Sequence, residues 1–262
     1  MATSQSTHFR RHYLDLLWFW TLREIKIRYK QSILGVAWAV LQPVAMAAVF
    51  TLVFSYIARI PSEDIPYPLF VFCGLVPWTF LATSISQGIP SLVGQMNLVT
   101  KAAFPRIILP FGIIGASFLD FIISFLVLLG LLGIYQIPLS QHIAWMPVFI
   151  LVQVFTVIGV TLAGSAINVY FRDIRFIIPL IVQIWMYLSP VVYPASLVPE
   201  RFKLLFSLNP MSCVIEGYRS IFLLGLQPDL VLTLAGILTA SGILLTGTLV
   251  FLKLEPGFAD VI

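Results

Sequence analysis

The chain has 262 residues, of which 60% are hydrophobic and only 10% charged, with a mean hydropathy of +1.00. A soluble domain carries about 25% charged residues, so this balance excludes an ordinary water-soluble enzyme and places the chain in the membrane class. The formal net charge of +4 sets 15 Lys and Arg against 11 Asp and Glu; where those charges sit matters more than their sum, and no nucleic-acid partner is expected.

Residues 1–35 form a charged, amphipathic lead-in, read as a cytoplasmic tail followed by a helix. Leu14, Leu17, Trp18, Leu22, Ile25 and Tyr29 recur at helical spacing on one side, with Arg23, Lys26 and Lys30 largely on the other. Such a pattern predicts a helix lying in the inner membrane interface, with its cations toward water, lipid phosphate, a phosphorylated substrate or a partner protein. No cleavable signal peptide is expected ahead of it; the first long apolar run begins near Val36 and is expected to serve as the insertion signal.

From residue 36 onward, six runs approach the roughly 20 apolar residues needed to cross a bilayer: about 36–58, 68–92, 107–135, 144–168, 176–193 and 231–252. The third would be about 43 Å long at about 1.5 Å per residue, so it must tilt or project. The fifth is at the short limit. Pro43, Pro77, Pro110 and Pro179 fall within or near span starts, which membrane helices tolerate where neighbours satisfy the freed carbonyls.

Asp120 is the ionisable residue deep in a predicted span. Such a carboxylate is costly in lipid, and two roles are open to it: a hydrogen bond to a neighbouring helix, or a place on a transport pathway. With the N-terminus inside, Arg10, Arg11, Arg23, Lys26, Arg28, Lys30, Lys101, Arg106, Arg172, Arg175 and Lys253 are cytoplasmic, which is 11 cations, and Arg59, Arg201, Lys203 and Arg219 are external, which is 4. That asymmetry predicts both termini in the cytoplasm.

Residues 194–230 do not fit a simple span. Met211–Leu226 is apolar but short and holds Glu216 and Arg219, three apart on one helical face and able to pair. One or two short helices that dip into the outer leaflet are expected, the second starting at Asn209-Pro210. Aromatics make up 14% of the chain, and Trp18, Trp20, Tyr67, Trp78, Trp145, Tyr187 and Tyr193 fall where interface belts would place them; an aromatic lining could equally stack on sugar faces. Cys73 and Cys213 read as inert apolar thiols.

There is no phosphate-binding G-x-x-x-x-G-K-[ST] loop, so ATP hydrolysis is not expected from this chain alone. His8, His12 and His142 lack metal-ligand spacing, and no catalytic Ser/His/Asp set can be assembled. A transport subunit with no cofactor or metal of its own is expected.

Six stretches in chain order then carry a resemblance: Leu22–Trp38 (LREIKIRYKQSILGVAW), Gly74–Trp78 (GLVPW), Lys101–Arg106 (KAAFPR), Tyr170–Ile174 (YFRDI), Ser189–Pro194 (SPVVYP) and Asn209–Met211 (NPM). Together they resemble the permease subunit of type-2 ABC exporters, in the branch that exports O-antigen, capsule and teichoic-acid-like polymers. The resemblance implies an all-α integral membrane protein with six spans, an interfacial N-terminal helix and short re-entrant helices between spans five and six. It further implies residence in the bacterial cytoplasmic membrane and a homodimer docked on two copies of a separate ABC ATPase, which would bind ATP and Mg. The substrate implied is a polysaccharide on a polyprenyl diphosphate lipid, with Arg23, Lys26, Arg28 and Lys30 holding the diphosphate. Lys101, Phe104, Arg106, Arg172 and Asp173 become expected contacts to the ATPase. Trp38, Asp120, Tyr187, Tyr193, Glu216 and Arg219 become candidates for the conduit or its gate. Other readings are an exporter of lipids or drugs on the same scaffold, a stand-alone carrier, or a membrane-embedded transferase.

Overall fold

A computed structural model describes residues 2–30, 35–59, 65–101 and 104–258, excluding the side chains of residues 2–12 and of Lys101. Among the described residues every regular element is helical. The order is α1 (Ala2–Tyr29), α2 (Trp38–Phe50), α3 (Tyr67–Gly88), α4 (Ser91–Gly94), α5 (Met96–Lys101), α6 (Ile108–Ile134), α7 (Met146–Tyr170), α8 (Ile174–Leu188), α9 (Lys203–Leu208), α10 (Pro210–Arg219) and α11 (Leu230–Leu254). Apolar runs without water force backbone groups to pair within their own segment, which is why the chain resolves into helices.

Among the described residues, five helical stretches are long and apolar enough to cross a membrane: Gly35–Ile57, Tyr67–Gly88, Ile108–Ile134, Gln141–Tyr170 and Leu230–Gly257. The fifth predicted span, 176–193, is shorter than expected. α8 has 15 residues, about 22 Å at about 1.5 Å each. It ends because Ser189 precedes Pro190, whose ring disfavours helical backbone at the residue before it; Ser189 is extended, with φ −101° and ψ 147°.

α3 is the centre of the bundle. Its most apolar window is 78% buried, against 17% to 39% in the other four long stretches, which therefore keep open apolar faces. α7 and α11 touch through backbone: a Cβ on Gly247 would lie 2.0 Å from the Gly159 carbonyl oxygen, and one on Gly159 would lie 2.4 Å from that of Ile243. Small residues permit this approach, the usual device where lipid supplies no hydrophobic force between helices. Within the core Gln153 Nε2 donates to the Pro77 carbonyl (3.1 Å) and receives the Tyr218 hydroxyl on Oε1 (3.1 Å), so both ends of its amide are satisfied.

Two residues assigned to interface belts are instead core. Tyr67 is buried and donates to the Val192 carbonyl at 2.7 Å, while Trp78 is buried edge-on against Trp185. Tyr67, at a span start, resembles a belt position, whereas Trp78 lies mid-helix; the central location of α3 places both inside. Cys73 and Cys213 are both free and buried.

Candidate functional site

The first half of α6 and the end of α1 run side by side. A Cβ on Gly112 would meet the Trp20 ring at 2.3 Å, and one on Gly115 would meet the Thr21 side chain at 2.9 Å. Eight residues further along α6, Asp120 takes Arg28 and Tyr29 from α1. The contacts advance almost in step along both helices, so α1 is packed lengthwise on α6 through Trp20, Thr21, Arg28 and Tyr29. Leu14 and Trp18, of the apolar stripe expected to meet the membrane interface, remain 66% and 62% exposed, while Tyr29 of the same stripe turns to Asp120.

Asp120 therefore has partners, contrary to its isolation in the sequence. One carboxylate oxygen accepts from the Arg28 guanidinium and the other from the Tyr29 hydroxyl. The other Arg28 nitrogen donates to Gln87 Oε1 on α3 and reaches Ser117 Oγ at 3.4 Å. Burial, then the hydrogen bond to Asp120, pushes the Tyr29 phenol above its ordinary range, so it remains a donor at any physiological pH. Beside the cluster lies a cavity of about 250 Å³, bordered also by Trp38, Gln42, Thr79, Thr83 and Ser124. The Arg28 and Asp120 charges cancel there. Sequence reasoning passed over Tyr29, Gln87 and Ser117 as site residues; the signal available was Ser117, Asp120 and Ser124, spaced three and four apart on one face of α6.

The same end of the bundle carries the expected coupling residues. α4 and α5 form short helical turns between α3 and α6. Phe104 packs on Trp20 with ring centroids 5.7 Å apart. Arg106 donates to the Glu255 carbonyl at 2.6 Å, just past the end of α11, where a cation also complements the helix dipole. Tyr170 donates to the neighbouring Leu254 carbonyl at 3.0 Å. Phe104 and Arg106 thus tie α1, α6 and α11 to one another. Arg172 and Asp173 are exposed, and the Lys101 side chain lies outside the described residues. Of the four cations expected to hold a headgroup, Lys26 and Lys30 are exposed, while Arg23 pairs with Glu24 at 3.1 Å and Arg28 with Asp120.

At the opposite end Asn209 caps α10 by accepting from the Met211 amide at 3.1 Å, as expected for a helix opened by Asn-Pro. Its side chain also accepts from the Trp185 indole at 2.9 Å and donates to Ser189 Oγ at 2.9 Å, holding the end of α8. Glu216 and Arg219 pair at 2.9 Å. Arg219 is only 3% exposed, sits 3.5 Å over the Phe70 ring and donates to the carbonyls of Val191 and Tyr193 at 2.8 and 3.2 Å. It is a buried tie to the turn after α8. Tyr187 and Trp38 are about half exposed. Tyr187 and Tyr193, with Trp185, Phe202 and Phe206, line a cavity of about 760 Å³ beside α9.

Residues 15–223 match the model of the family described as ABC-2 type transporter. An O-antigen export system permease protein RfbA of Klebsiella pneumoniae is 30% identical over 251 residues, covering 95% of each chain. A protein of that name from Myxococcus xanthus is 33% identical over 220 residues, covering 83% of this chain and 84% of its own. The polysialic acid transport protein KpsM of Escherichia coli is 23% identical over 205 residues, 74% of this chain and 76% of its own.

Proposed function

The chain belongs to the ABC-2 type transporter family, and from that premise we propose that it is the channel-forming permease of an ATP-driven exporter that carries a polyprenyl-diphosphate-linked polysaccharide across the bacterial cytoplasmic membrane. The observation that carries this is similarity over 95% of the chain to permeases named for O-antigen export. A match of that extent covers the α1 lead-in and the α9–α10 region as well as the apolar helices.

In this reading the five long stretches and α8 make six spans, with both termini in the cytoplasm. α8 crosses with help from the turn at residues 189–194, or through a locally thinner bilayer. α9 and α10 dip into the outer leaflet, where Asn209 and Arg219 brace them against α8. Two copies enclose the conduit, mainly between their first and fifth spans. Two copies of a separate ABC ATPase bind ATP and Mg and engage the basic end at α5 and at Arg172 and Asp173. The exposed Lys26 and Lys30 make the first contact with the lipid diphosphate through charge-assisted bonds. Motion at α5 reaches the bundle through Phe104 and Arg106, because those side chains already bridge α1, α6 and α11.

Co-expression with the candidate ATPase, purified through a tag on this chain, tests the proposal. A two-plus-two complex that hydrolyses ATP, and loses hydrolysis when 101–106 is altered, is the expected result. A chain that purifies with no ATPase attached would remove the exporter reading and return the stand-alone carrier and transferase to consideration.

A further inference from the structure

Arg28 is the one cation bordering the cavity between α1, α3 and α6 among the described residues, and Asp120 already occupies it. A guanidinium fork suits a carboxylate and a phosphate equally, since both present two oxygens at matching spacing. The cavity, at about 250 Å³, is several times the roughly 30 Å³ share of one water in the liquid, and its walls offer the hydroxyls and amides of Thr83, Gln87, Ser117 and Ser124.

We propose that Asp120 is an internal competitor for Arg28, displaced when the anionic diphosphate of the substrate takes the same guanidinium, so that headgroup recognition and loss of the Arg28 tie between α1 and α6 are one event. This rests on the headgroup role given to the α1 cations above. Exchange of one anion for another never leaves Arg28 uncompensated in a partly buried site, which is the costly alternative. Asp120 is not stranded either: its second oxygen keeps the Tyr29 hydroxyl. The competitor raises the diphosphate concentration needed for occupancy, because only the fraction of protein with Arg28 free can bind. It also confers selectivity, since a weak anion cannot win the exchange.

Two substitutions should move the response in opposite directions. Asp120→Asn removes the competing charge and lowers the concentration needed. Tyr29→Phe removes the donor that waits for Asp120, leaves Asp120 more dependent on Arg28 and raises it. If the cluster were only an anchor, both would weaken the same α1–α6 contact and act in the same direction.

The experiment uses the permease with its co-purified ATPase in nanodiscs of phosphatidylethanolamine and phosphatidylglycerol, titrated with undecaprenyl diphosphate while ATP hydrolysis is followed. The half-maximal concentration is expected to fall about tenfold in Asp120→Asn, within the range of ordinary coupling between sites, and to rise severalfold in Tyr29→Phe. Shifts in the same direction, or an unchanged Asp120→Asn curve, overturn the exchange. Should Asp120→Asn fail to assemble, Asp120→Ser takes its place beside Tyr29→Phe: opposite shifts support the exchange, and shifts in the same direction overturn it. Arg28→Gln tests the underlying headgroup role separately, because a curve identical to that of the parent protein would remove that role whatever Asp120 does. Inorganic diphosphate as titrant separates the sources: the same ordering of variants means the free anion suffices, and a response confined to the lipid-linked form means the anion must arrive within the bilayer.

Discussion

Arg219 lies one helical turn from Glu216, and that spacing predicts their pairing. The structure adds two backbone carbonyls and the face of Phe70 to the same guanidinium. Planar, multidentate contacts of this kind are not reproduced by an ammonium. Arg219→Met is expected to cost about 3 kcal/mol, near the lower end for breaking a buried pair by removing one partner, and Arg219→Lys is expected to recover only part of it. Thermal unfolding of the detergent-solubilised protein checks both; equal stability of Arg219→Lys and the parent would mean that charge alone matters there. Asp120 illustrates the opposite case. Its position deep in an apolar run marks it from sequence, yet its partners lie 91 and 92 residues away on α1, a distance that periodicity within α6 cannot bridge.

At the scale of elements, α7 and α11 approach until one backbone rests on the other at Gly159 and Gly247. Gly247→Val must push the helices apart, and the expected outcome is loss of most folded protein, read as a collapse of the monodisperse peak in fluorescence-detected size exclusion. Gly242→Ala in α11 meets nothing within 4 Å, so it is expected to leave that peak unchanged, since it only adds helix propensity. A matching loss in both would show that glycine flexibility, not close packing, is what α11 needs. α1 shows that helical spacing alone does not fix which residues meet a neighbouring helix. Its helical spacing is evident, but the face that packs includes Thr21 and Arg28 beside Trp20, because α6 presents glycines and polar side chains there, not a greasy wall. α8 shows the converse: its proximity to Pro190 was visible, and a rule about the residue before proline accounts for its end at Leu188.

For the whole molecule, the open question of assembly falls on α2 and α8. α8 exposes Phe176, Ile177, Leu180, Ile181 and Ile184 along one side, while α2 and the turn that follows it expose Val49, Leu52 and Tyr56. Apolar faces of this extent meet lipid or a second copy. In the proposed homodimer, cysteines introduced at Val49 and Ile184 are expected to form intermolecular cross-links in membranes. Cys73 and Cys213 are buried and should contribute none. Absence of cross-links at both positions, with efficient cross-linking elsewhere, would place the subunit seam away from the first and fifth spans. Composition, hydropathy and the order of short motifs determined by themselves that this is a membrane protein, which runs are apolar and which family it joins, because lipid imposes its requirement locally on each segment. The partners of Asp120, the interior place of Arg219, Tyr67 and Trp78, and the bridging by Phe104 and Arg106 were decided only by the tertiary structure. Those facts depend on which helix sits at the centre and which faces meet, and contacts between remote segments leave no period in the sequence of either one.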